Sequence, residues 1–203
     1  MKGLIIKDYY TLVKQLGFFL IFIVVFACLP GFSFLTFAIV YATMLPMTSI
    51  AYDERAKWDK FACMMPYSAM DLVLSKYMLG LFIVLATAVF SCFAQAVVGI
   101  FTHTVLDGPF FAQLALIVCF AIIIESIELP VLIGLGVEKG RLLMIVFMVA
   151  AAVGGATLVD NVVKFSFKEL NLAIIIPAAA LAAVIVGTIS VMISVALYKG
   201  KKE

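Results

Sequence analysis

The sequence predicts an all-α polytopic membrane protein with six transmembrane helices, an N-terminal helix lying in the membrane interface, and a short amphipathic helix on the cytoplasmic side between spans two and three. Three observations predict it. Of 203 residues, 66% are hydrophobic and only 13% charged, against about 45–50% apolar in ordinary soluble domains. The mean hydropathy is +1.25, and no soluble fold of this length covers so much apolar surface, so the solvent is lipid. Apolar runs of about 20 residues, the length that crosses about 30 Å of hydrocarbon, recur between turn signals. Basic residues also follow a side preference. With both termini in the cytoplasm, Lys164 and Lys168 are the only outer cations among the 14 lysines and arginines, as the positive-inside rule requires.

The elements follow in order. In MKGLIIKDYYTLVKQ, Leu4, Ile5, Tyr9, Leu12 and Leu16 share one helical face, with Lys7, Asp8 and Lys14 mostly elsewhere. That pattern suits a helix lying in the inner interface, or a plain extension of the first span. The span itself runs Thr11 to Leu29, with Lys14 snorkelling to the headgroups, and is retained rather than cleaved as a signal peptide. Pro30-Gly31 makes a tight turn. Phe32 to Ile50 is span two and Tyr77 to Phe101 span three. Asp107-Gly108-Pro109 marks the next turn. Phe110 to Val137, Leu142 to Val159 and Leu172 to Tyr198 complete the six. The whole chain, residues 1 to 203, reads as one membrane domain. The net charge of +2 and the lack of a long basic run exclude nucleic acid as a partner. Cys28, Cys63, Cys92 and Cys119 are scattered without metal spacing and read as small buried hydrophobes.

The charges gather in AYDERAKWDK, Ala51 to Lys60, which also holds the chain's one tryptophan. As a helix from Tyr52 to Met64 it places Trp58, Phe61, Ala62 and Met65 on one side, with Asp53, Glu54, Lys57 and Lys60 largely on others. Pro66 disfavours helix at Met65 and ends it. Ser68, with Asp71 three residues on, forms a capping box that starts the helix leading through Lys76 into span three. Two readings follow: an interfacial helix with Trp58 in the headgroups, or a docking helix that carries force from a soluble partner to the spans.

The run YDERAKWDKFACMMPYSAMDLVLSKY resembles the coupling-helix region of bacterial type-2 ATP-binding-cassette (ABC) exporter permeases. The matching residues are the acidic pair Asp53-Glu54, then Lys57-Trp58-Asp59, Pro66-Tyr67-Ser68 and Lys76-Tyr77. A second similarity is LPVLIGLGVEKGR, Leu129 to Arg141, at the inner end of span four. In layout the resemblance covers the whole chain. Two departures stand out. Ala69 occupies the place of an expected arginine, and no lysine precedes Gly136. If that arginine meets the partner in relatives, this chain docks differently or uses Lys76.

The resemblance implies that Tyr52 to Met64 is a coupling helix. Asp53, Glu54, Arg55, Lys57, Trp58, Phe61 and Lys76 would meet an ATPase, and Glu138, Lys139 and Arg141 form a second inner loop. The chain holds no G-x-x-x-x-G-K-[ST] phosphate loop, so ATP and magnesium would bind on a separate ABC ATPase. Relatives of this kind work as two permeases with two ATPases. The implied partners are two ATPase copies, a second permease that is identical or homologous, membrane lipid and an exported cargo. The implied place is the bacterial cytoplasmic membrane, and the implied cargo is a peptide, an antibiotic or another amphipathic molecule.

Glu125 and Glu128 are the acids well inside a span, three apart and hence on one helix face. At 1.5 Å per residue they lie about 22 and 27 Å beyond Phe110, in the inner half of span four. Pro130 then breaks the helix and frees a carbonyl near Ser126. The glutamates read either as lining a cavity for a cationic or amphipathic cargo, or as a structural ion pair with Lys76, Lys139 or Arg141. An ion-coupled carrier using them as proton sites is the alternative transport class, disfavoured by the absence of internal repetition. A membrane enzyme is the third class. His103, among threonines at the outer end of span three, has no carboxylate nearby, and Ser49, Ser126 and Tyr67 lack a base, so no catalytic or metal site is expected. Gly154-Gly155 and the run Ala178 to Ala183 offer close packing surfaces, and the segment from Asp160 to Asn171 is amphipathic.

Overall fold

The computed structural model describes residues 2–27, 34–62, 64–102, 108–142 and 172–200. Among these residues the chain is helical, with no strand. The helices are α1 (Lys2–Ala27), α2 (Phe34–Arg55), α3 (Trp58–Ala62), α4 (Ala69–Thr102), α5 (Gly108–Leu135) and α6 (Leu172–Gly200). A helical turn at 137–142 follows α5. Three segments among the described residues are long and apolar enough to cross a membrane: Ala69–Val97, Phe110–Leu135 and Ile176–Gly200. These coincide with the third, fourth and sixth expected spans. α1 and α2 cover the first two as helices. The fifth expected span, Leu142 to Val159, lies outside the described residues from 143 onward. So do His103, Gly154-Gly155 and the segment over 160–171.

The polarity of the bundle is that of a protein in lipid. Phe82, Leu85, Val89 and Phe93 form an exposed stripe on α4, and Leu181, Val184, Ile185, Ile189 and Met192 one on α6. The buried side chains include Asp8, Ser49, Glu125, Glu128, Ser190 and Ser194. Water would punish that arrangement on both counts, whereas lipid accepts the apolar surface and drives polar groups inward. The core joins Leu12 of α1, Ile39 and Leu45 of α2, Leu79 and Val84 of α4 and Ala121 of α5. α5 and α6 pack in parallel: Gly187 lies beside Ser126, and Gly134 lies against Leu197. Small residues let the two backbones approach where no hydrophobic force from water drives them together.

Three local expectations change. First, no break separates an interfacial helix from the first span; α1 is continuous from Lys2 to Ala27, the plain-extension alternative. Its buried face is Leu4, Asp8 and Leu12, spaced by four and therefore stacked on one side, while Tyr9 is exposed. Asp8 thus belongs to the packed face. Second, the helix expected over Tyr52 to Met64 is divided. α2 continues to Arg55, and Lys57 takes a left-handed φ of 53°. Its amide bonds back to the Glu54 carbonyl at 3.1 Å. A residue in that conformation ends a helix and turns the chain, so α3 leaves in a new direction. Third, Pro130 sits inside α5 without ending it. The carbonyl it frees, that of Ser126, accepts a hydrogen bond from Ser190 Oγ on α6. A neighbouring hydroxyl satisfies the orphan group, which is how membrane helices tolerate proline.

The capping box forms as read. The Asp71 amide donates to Ser68 Oγ at 3.1 Å, and Asp71 Oδ2 accepts from the Ser68 amide at 3.2 Å. Two orphan donors at the start of α4 are satisfied reciprocally.

Candidate functional site

The charged groups converge at one end of the bundle, where α1 and α4 begin and α2, α5 and α6 end. Asp8 lies between Leu4 and Leu12 on the packed face of α1, so its carboxyl is carried inward. Lys76 reaches it from the second turn of α4. Its Nζ donates to Asp53 Oδ2 at 2.6 Å, Asp8 Oδ1 at 2.8 Å and Ser49 Oγ at 2.9 Å. An ammonium has three donors, and all three are used. Lys7 Nζ contacts Asp53 Oδ1 at 2.6 Å and Asp8 Oδ1 at 3.1 Å. It also lies 4.3 Å from the centre of the Trp58 ring, within cation–π range. Asp8 is 1% exposed and the Lys76 side chain 12%. Charges so far from water persist only when paired with good geometry. The quartet therefore ties α1, α2 and α4 together, and through Trp58 it ties α3 to them.

Trp58 and Phe61 do not act on one side. Trp58 packs inward with Tyr67 and Tyr198 against Leu4, Ala62 and Leu72. Phe61 is 55% exposed, Met64 85% and Met65 40%. The turn at Lys57 rotates α3 so that Trp58 and Ala62, four apart, face the bundle and Phe61 faces away. Asp53 and Lys76, both expected to meet an ATPase, are joined in the internal quartet. Arg55, Lys57 and Lys60 remain exposed, as do Glu138, Lys139 and Arg141.

Glu54 joins the two sequence motifs. Its Oε2 accepts from the Val137 amide at 2.9 Å. Gly136 has a φ of +82°, a conformation that only glycine adopts without strain. It aims the next amide at the carboxylate, and a carboxylate at the start of a helical turn is favoured by the exposed amides there. The acidic pair of the first motif thus works inside the structure. Asp53 holds the lysines, and Glu54 caps the turn that opens the second motif.

Deeper in the bundle, Glu125 and Glu128 are buried at 4% and 1% exposure. Among the described residues no salt bridge reaches either of them. The expected ion pair with Lys76, Lys139 or Arg141 does not form, because Lys76 is occupied by Asp8 and Asp53 and the other two are exposed. Glu125 Oε1 and both oxygens of Glu128 have no hydrogen-bond partner. The Glu125 carboxyl fills the notch at Gly80 of α4, where any Cβ would overlap it. Beside it, Tyr77 Oη lies 2.5 Å from Ser190 Oγ and 2.8 Å from Ser194 Oγ. With the Ser190–Ser126 bond this makes a polar chain across α4, α6 and α5.

Sequence reasoning singled out Asp53, Glu54, Trp58, Lys76 and the glutamate pair, and the structure brings the first four together. It did not place Lys7, Asp8, Ser49, Gly80 or Gly136 at the site. The available signal was Asp8 at the Leu4-to-Leu12 spacing, an acid where the apolar face requires leucine.

This geometry suits a polytopic subunit whose polar machinery sits at one membrane face and in the bundle interior. A search among characterised proteins and one among solved structures find no match. The family described as "ABC-2 family transporter protein" matches residues 3–199. That span is nearly the entire chain, and the chain belongs to the ABC-2 transporter family, as a membrane-embedded permease.

Proposed function

We propose that this permease is the transmembrane half of an ABC exporter, with both termini in the bacterial cytoplasm. ATP and magnesium bind a separate ABC ATPase. Two ATPase copies serve two permeases, the second identical or homologous. The cargo is a peptide, an antibiotic or another amphipathic molecule. The observation that supports this reading is the exposed apolar group of Phe61 on α3 and Met64 and Met65 just after it, flanked by Arg55, Lys57 and Lys60. An apolar centre of aromatic and methionine residues with a charged rim is the composition of a protein interface. Behind it, Trp58 on Lys7, Asp53 on Lys76 and Glu54 on Val137 connect the same segment to α1, α4 and the turn after α5. A push on α3 has a rigid path into the bundle.

Glu125 and Glu128 support a polar cargo route. Unpaired acids inside a membrane protein usually face a pathway, and among the described residues no lysine or arginine forms a salt bridge with them.

The docking reading is tested with Phe61→Ala/Met64→Ala. Both side chains are exposed, so the variant folds as the parent does. Truncating central interface anchors costs about 2 kcal/mol or more, about a thirtyfold loss of affinity. The ATPase should no longer co-purify, and cargo-stimulated hydrolysis should fall. Undiminished association would make α3 an interfacial anchor instead.

A further inference from the structure

The charged end of the bundle encloses a cavity of about 90 Å³, walled by residues of all six helices and by Gly136. Its polar wall carries Lys7, Asp8, Asp53, Glu54 and Lys76, with Trp58 beside them. Those groups sum to one excess negative charge, and their hydrogen-bonding capacity is unevenly spent. Lys76 has used its three donors on Asp8, Asp53 and Ser49. Lys7 is engaged by Asp8, Asp53 and the Trp58 ring. What remains is acceptor capacity. Asp8 Oδ2 is buried with no hydrogen-bond partner, although its residue is 1% exposed. Glu54 holds Val137 through Oε2. A phosphate or carboxylate would therefore meet lysines that are already committed and an unbalanced negative charge. A hydrogen-bond donor with a positive charge meets the opposite.

We propose that this cavity binds a primary ammonium group carried on an apolar body. The ammonium would donate to Asp8 and Glu54 and balance the excess charge. Leu4, Ile50, Leu72 and Leu132 would receive the adjoining methylenes. Two sources share that chemistry: the ethanolamine headgroup of a membrane lipid, and a soluble amphipathic amine. A quaternary ammonium is excluded, because it has no N–H to give the orphan oxygen. The site is independent of the ATPase reading. Occupancy would stiffen the junction where α3 meets the bundle.

The chain's single tryptophan stands in the cavity wall and serves as the reporter. The full-length permease is placed in nanodiscs of phosphatidylcholine. Phosphatidylethanolamine is raised in one series and hexylamine is added in another, with choline lipid and tetramethylammonium as controls. The expected result is a saturable change in Trp58 fluorescence with a primary amine and none with its quaternary counterpart. A response to phosphatidylethanolamine assigns the lipid as source, and a response to hexylamine alone assigns the soluble amine. Glu54→Gln, at an exposed residue, should weaken the response about tenfold or more. Asp8→Asn should do the same if it folds. No saturable change with either amine would overturn the proposal. So would equal responses to quaternary ammonium, or a response unaltered in Glu54→Gln.

Discussion

Replacing Lys76 by methionine removes one ammonium and leaves the shape of α4 nearly intact. In the native protein that ammonium makes bonds of 2.6, 2.8 and 2.9 Å to Asp53, Asp8 and Ser49. Without it, Asp8 keeps a single cation, Lys7 at 3.1 Å, and that lysine is shared with Asp53. Breaking a buried pair by removing one partner costs about 3–5 kcal/mol, because the remaining charge is stranded away from water. Typical domains have about 5–15 kcal/mol in total, so the loss is a large share. The opposite result follows if Lys76 merely snorkels at the membrane surface: trading it for methionine would then be neutral. The assay is thermal unfolding in detergent, followed by Trp58 fluorescence, with Lys139→Met as the exposed control. Lys76→Met should unfold far earlier than the control, and Lys76→Met/Asp8→Asn should recover part of the loss. Lys76→Met and Lys139→Met agreeing within about 0.5 kcal/mol would refute the stranded-charge argument.

Gly80→Ala should place a methyl in the space of the Glu125 carboxyl and lower the yield of folded protein. Gly80→Ala/Glu125→Ala should restore it, as measured by the monodisperse fraction in size-exclusion chromatography. Glu125→Gln keeps the shape and removes the charge, so export should fall while the assembled complex and its basal ATP hydrolysis persist. Equal export at equal expression would take Glu125 out of the cargo route.

Much of the fold was legible because lipid simplifies the reading. A run such as Tyr77 to Phe101 has one outcome in hydrocarbon, and the capping box at Ser68 and Asp71 is a local motif with local geometry. The junction was harder. A helical wheel places Trp58 and Phe61 on one side only if the helix is continuous, and the left-handed Lys57 breaks that premise by a turn that lysine does not advertise. Asp53 and Glu54 looked like solvent-facing charges because charge runs usually are. Their partners, Lys7, Lys76 and the Val137 amide, lie up to 83 residues away, a distance that no local pattern spans. The Ser126 carbonyl shows the mixed case: Pro130 correctly signalled an orphan acceptor, but only the fold supplies Ser190 to satisfy it and keep the helix intact.

The central claim is that the charged end of the bundle docks an ATPase through the exposed face formed by α3 and the residues just after it. Site-specific photo-crosslinking in the native membrane tests it most directly. A photoreactive residue replaces Phe61 in one sample and Phe93, on the lipid-facing stripe of α4, in another. The account predicts a crosslinked product at position 61 that contains a phosphate-loop ATPase and is absent at position 93. An ATPase crosslinked equally from both positions, or lipid alone crosslinked from position 61, would contradict it.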